Sequence, residues 1–182
     1  MFTRTCTRRM DKVVRMLAIA LLLLLSACRP AATTFRPPKQ NELVAFVQDQ
    51  GITPIADELL DDSTALLYES STSFGCYVLT VKDPGRVLVS SSVSAAKSEQ
   101  PILIIEQLTE DRPLLAVVIQ DAALAAETTA IEVGIDSQNR LTATTNGQVG
   151  AILVSPSPVD AWRTVTLYNA QGKVLHRQEG HR

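Results

Sequence analysis

The chain has 182 residues, 46% of them hydrophobic and only 4% aromatic, with 17 basic and 19 acidic side chains for a formal charge of −2. The charges are dispersed, with no basic stripe and no aromatics interleaved among Lys and Arg, which argues against nucleic acid as a partner. Two late histidines and three scattered cysteines offer neither Cys-x-x-Cys nor His-Glu-x-x-His spacing, so no metal and no cofactor is expected.

Arg4, Arg8, Arg9, Lys12 and Arg15 precede an apolar run from Met16 to Leu25, followed by the small residues Ser26 and Ala27. That order is the layout of a secretory signal peptide. The run is about half the ~20 residues a helix needs to cross a bilayer. Arg15 and Arg29-Pro30 close it at either end, which disfavours a permanent membrane span.

Leu25-Ser26-Ala27-Cys28 resembles the lipobox of bacterial lipoproteins. The resemblance covers these four residues and the basic and apolar segments before them; residue types, order and position all agree. It implies that signal peptidase recognises Leu25, Ser26 and Ala27 and cleaves before Cys28. It further implies a diacylglyceryl thioether on Cys28 Sγ, which would hold the protein to the extracytoplasmic face of a membrane. In that family, Asp after the lipidated Cys is the main signal for inner-membrane retention. Arg29 stands there instead and favours the outer membrane if the organism has two.

Removing residues 1–27 leaves 155 of the 182 residues, enough for one domain, and reduces the charges to 12 basic and 18 acidic, a net −6. An acidic domain does not dock electrostatically on anionic headgroups, so acyl chains, at about 0.8 kcal/mol per buried methylene, must anchor it. Beyond Cys28 the only thiol is Cys76, so no disulfide can staple the domain.

Residues 28–40 carry Pro30, Pro37 and Pro38 among small polar residues and read as a lipidated flexible tether. The domain proper is expected over residues 41–182. Asn41 to Gln50 predicts a helix, with Asn41 as its cap, Leu43, Val44, Phe46 and Val47 as its apolar face and Gly51 at its end. Strands follow at Thr64 to Glu69, Phe74 to Val81 and Arg86 to Val93, the last two joined by the turn Asp83-Pro84-Gly85. Ser90 to Gln100 loses large apolar residues and reads as a mobile loop.

Ile102 to Leu108 and Leu114 to Gln120 are apolar on both faces, as expected of central strands, with a charged turn through Glu110, Asp111 and Pro113 between them. Asp121 to Glu127 is Ala-rich and suits one or two helical turns. Five more strands are expected at Thr129 to Ile135, Leu141 to Thr145, Val149 to Val154, Thr164 to Tyr168 and Lys173 to Arg177. Their turns run through Asp136 to Asn139, Asn146-Gly147 and Asn169 to Gly172. About ten strands at this spacing predict a mainly β domain, an antiparallel sandwich or barrel with one N-terminal helix.

Catalytic patterns are sparse. There is no Gly-x-Ser-x-Gly elbow. Cys76 and His176 are the one thiol–imidazole combination for an envelope hydrolase, with a core Cys and an edge-strand His as the plainer reading. Asp57, Glu58, Asp61 and Asp62 form the densest acidic cluster, without the Gly-centred loop of a calcium site, and read as a solvated turn. Trp162 is the candidate ligand contact, a platform for a sugar ring or protein; its large apolar area favours a place at the end of the core. The expected role is therefore a non-catalytic binding or assembly module of the cell envelope, with a protein or glycan partner. A small-ligand or glycan-binding lipoprotein is the alternative.

Overall fold

A computed structural model describes residues 34–82, 85–107, 113–136, 138–145, 147–156 and 161–180. The expected signal peptide, the lipobox with Cys28, the tether up to Thr33 and His181 lie outside the described residues. So do parts of the expected turns: Asp83-Pro84, Glu110-Asp111, Ser137 and Asn146.

Alternating apolar residues produce three antiparallel sheets. The first contains β2 (Thr53–Leu59), β3 (Thr64–Glu69), β4 (Ser73–Lys82) and β5 (Arg86–Ala96), in that order. A two-residue strand, β1 (Phe35–Arg36), continues the line of β3 along β4: β3 pairs as far as Leu79, and Arg36 and Phe35 take over opposite Val81 and Lys82. Thr80 sits at the junction, and its hydroxyl donates to the carbonyls of Asp62 (3.1 Å) and Arg36 (3.4 Å).

The second sheet is β6 (Ile102–Gln107), β7 (Leu114–Ile119) and β10 (Gly150–Val154), with β7 central. The third places β8 (Ala130–Gly134) and β11 (Thr164–Tyr168) between the edge strands β9 (Arg140–Thr144) and β12 (Val174–Glu179). The described residues also contain two helices, α1 (Gln40–Gln50) and α2 (Ala122–Glu127).

The layers follow from which residues share a core. Ala65 and Leu67 of β3 and Phe74, Cys76 and Val78 of β4 face Leu114, Ala116 and Val118 of β7 and Ile152 of β10. The intervening residues of β7, Leu115, Val117 and Ile119, face the other way, onto Ile131, Val133, Val165 and Leu167 of the third sheet. All six residues of β7 are consequently buried, the two-sided apolar pattern expected of a central strand. A third, smaller core lies on the far face of the first sheet, where Leu43, Phe46 and Val47 of α1 cover Leu66, Tyr77 and Leu79. There Tyr77 stacks on Tyr68 at 4.5 Å and meets the edge of Phe46 at 5.5 Å.

The fold is mainly β and antiparallel, as the spacing of strands predicts, but five local expectations need correction. The tether ends sooner, because Phe35 and Arg36 join the first sheet. The helix starts one residue earlier, at Gln40, with Lys39 rather than Asn41 as its cap. There the Lys39 N–H donates to Glu42 (2.7 Å), and Arg36 grips the same carboxylate with both terminal nitrogens (2.7 and 2.8 Å). Gly51 ends the helix in the left-handed conformation, as expected. Val44, however, remains exposed.

Residues 53–59 form a strand rather than an approach to an acidic turn, with only Ile55 buried and a bulge between Pro54 and Ala56. The presumed loop after Ser90 continues as strand to Ala96, since Val93 and Ala95 pack into the first core while the residues between them face water. The Ala-rich segment is helical as expected, over Ala122–Glu127, capped by the Asp121 carboxylate, which accepts from the Leu124 N–H (2.8 Å).

Candidate functional site

Three sheets stacked in one domain leave six edge strands, and three of these edges converge. β2 ends the first sheet, β10 ends the second, β9 ends the third, and β10 lies against both of the others without pairing to either. Between them opens a cleft of about 520 Å³, in the size range of ligand sites.

The register shows which backbone groups face it. The Ile119 N–H donates to the Val149 carbonyl and the Ser155 N–H to the Pro113 carbonyl, so Val149, Ala151, Leu153 and Ser155 turn their polar groups toward β7. Alternation then turns the N–H and C=O of Gly150, Ile152 and Val154 to the free side. By the same reasoning, the Leu60 N–H to Ser63 carbonyl bond leaves Asp57 and Leu59 facing outward from β2. The Thr145 N–H to Thr129 carbonyl bond leaves Thr142 and Thr144 outward on β9.

Side chains give the cleft its character. Ala56, Ala143 and Ala151 keep its walls thin, Leu141 and Ile152 supply apolar surface, and Thr142, Thr144 and Gln148 supply neutral polar groups. Its charged lining is acidic, from Asp57 and Glu58, and among the described residues no Lys or Arg contributes. Asp57 and Glu58 thus separate from Asp61 and Asp62 by lying within β2. Among the described residues, no three His, Cys, Asp or Glu side chains gather as a metal site.

Cys76 and His176 are placed in different sheets. Cys76 is 1% exposed in the core between the first and second sheets. Burial pushes its thiol up to about 12, against a smaller opposing effect of a backbone hydrogen bond at Leu66. Its sulfur donates weakly to the Tyr77 carbonyl (3.8 Å), and among the described residues no base hydrogen-bonds to it. His176 is half-buried on β12 opposite Leu167, and its Nε2 has no hydrogen-bond partner. A thiol held in its neutral form without a base is not an activated nucleophile.

Trp162 is 8% exposed and belongs to the core between the second and third sheets, so it is no open platform. Its indole N–H donates to the Glu106 carboxylate. This buried, hydrogen-bonded position matches the end-of-core reading.

The outer face of the third sheet carries the densest charge. Arg140 pairs with Glu132 (2.9 Å) and Arg177 with Glu179 (3.1 Å). Asp136 accepts from the Gln138 and Asn139 N–H groups, which hold its carboxyl below the usual range and fix the turn between β8 and β9. These pairings satisfy the face internally.

The cleft is the feature missed in the sequence, because no local pattern reports which strand edges meet. No family model, curated relative or solved structure matches this chain.

Proposed function

We propose that this protein is a lipid-anchored module of the bacterial cell envelope that binds a partner without catalysing a reaction. The observation that carries the binding role is the cleft between β2, β9 and β10, floored by an unpaired strand edge and lined by apolar, hydroxyl and carboxylate groups. The lipobox resemblance at Leu25-Ser26-Ala27-Cys28 supports export and anchoring through Cys28, with Arg29 favouring the outer membrane where there are two. The short distance in sequence from Cys28 to Phe35, where the first sheet begins, keeps the domain near the membrane surface. A Trp162 platform and a Cys76–His176 pair gain no support from the geometry, so glycan stacking and thiol hydrolysis are the weaker readings.

The test has two parts. Cys28→Ala should abolish acylation and processing, moving the protein out of the detergent phase as an uncleaved precursor. A variant that partitions like the wild type with a normally cleaved N-terminus would overturn the anchor. For the binding role, a photo-crosslinking amino acid at Thr144 in living cells should give one reproducible adduct. A control at exposed Lys173 should not give it. Loss of any such difference would overturn the cleft as the binding site.

A further inference from the structure

The polar groups on the floor of the cleft define the kind of molecule that fits. Buried backbone N–H and C=O groups are almost always paired, because an unmet one costs roughly what a lost hydrogen bond does. Ile152 is 7% exposed and Gly150 is buried, yet among the described residues no strand pairs with the outward groups of either, or with those of Val154. These groups recur every second residue, about 6.5–7 Å apart, a repeat that another extended chain reproduces and a sugar or flat ring does not.

Charge narrows the class further. The charged residues on the wall are Asp57 and Glu58, both exposed; alternation along β2 turns Glu58 to the cleft side with Ala65 and Asp57 to the α1 side with Leu66, and among the described residues no cation lines the cleft. A peptide carrying Lys or Arg complements that wall, whereas an acidic one is repelled. The alanines of all three strands leave room for the small or apolar side chains of such a segment.

We propose that the cleft binds an extended, basic segment of a partner protein, which adds to the free edge of β10 as a strand and sets a Lys or Arg against Glu58. This rests on the binding role proposed above and names its ligand. Hydrogen bonds to Gly150, Ile152 and Val154 supply sequence-independent affinity, and Glu58 supplies selection.

The experiment selects from a library of end-capped octapeptides on the full chain, followed by synthesis of the enriched sequences. Enrichment of Lys or Arg and depletion of Pro are expected. N-methylation of alternate amides should weaken binding at least tenfold, while N-methylation of the intervening amides should leave it within twofold. Asp57→Asn with Glu58→Gln should weaken the basic peptides at least tenfold and leave their Lys→Gln versions unchanged. Both probes act on the ligand or on exposed side chains, so neither depends on disturbing the fold.

Equal sensitivity to methylation at every position would overturn strand addition, as would failure to enrich any peptide. If the Thr144 crosslink nevertheless persists in cells, the binding role stands and only the ligand class falls. Without that crosslink both fall. A crosslink solely to a second copy, with a concentration-dependent dimer in solution, would replace the partner segment with self-association.

Discussion

The ring of Tyr68 occupies the space that a side chain at Gly75 would need. The two residues are direct cross-strand partners on β3 and β4, and a Cβ at 75 would stand 2.7 Å from Tyr68 Cε1 and closer still to Cζ and the hydroxyl oxygen. The glycine serves here as an absence, letting the ring lie flat beside Tyr77 under α1.

Gly75→Ala should therefore destabilise the domain by about 1–3 kcal/mol, the usual cost of overpacking. Urea unfolding followed by circular dichroism measures it. Adding Tyr68→Ala should recover part of the loss, because the methyl then has room; strictly additive effects would show that the two residues do not conflict.

Glu42 gives the fold an acid-sensitive joint. The hydrogen bond from Arg36, followed by that from the Lys39 N–H, lowers its carboxyl to about 2. A carboxyl lowered on folding contributes stability above its unfolded value of about 4.3 and loses that contribution as the pH falls toward about 2. Backbone exchange in α1 should accordingly speed up relative to β7 between those limits. Glu42→Gln should exchange faster than the wild type at pH 6 and respond less to acid. An α1 whose exchange is the same in both proteins at pH 6 would count against the joint.

Cys76 should resist iodoacetamide at pH 8 in the folded protein and react promptly in denaturant, read by mass mapping of its peptide. Burial raises the thiol well above the working pH and closes the path to it. Rapid alkylation without unfolding would return Cys76 to consideration as a nucleophile. Cys76→Ser should cost about 1–3 kcal/mol, from burying a hydroxyl where the wild type has sulfur.

Trp162 is the only tryptophan and so reports on its own core. Its emission should be blue-shifted and insensitive to acrylamide, then shift red on unfolding. Trp162→Ala should cost about 3–5 kcal/mol, as large truncations in a core do. A red-shifted, readily quenched indole in the native protein would place it at the surface.

What the sequence disclosed was what periodicity can carry. The two-sided apolar runs of β6 and β7 predicted a shared interior layer, and the end of α1 was marked by Gly51. β2 was hidden because its bulge breaks the two-residue rhythm and because Pro54, Asp57 and Glu58 imitate a turn. The second half of β5 was hidden because its inward residues, Val93 and Ala95, are small and its outward ones are mainly serine. The cleft was beyond reach for a different reason. Its walls come from residues 56–58, 141–144, 148 and 151–154, and only tertiary packing decides that these edges meet.

The second sheet is a partition with an interior on each side, and its last strand arrives late. β7 forms from residues 114–119, but β10 comes only at Gly150. A chain emerging from the ribosome, N-terminus first, would leave both interiors open until that point has appeared. The interior shared with the first sheet is complete once β10 has emerged, whereas the one shared with the third sheet waits further for Trp162, Val165 and Leu167. A copy cut short before Gly150 would present apolar surface from both interiors to whatever chaperone or protease meets it.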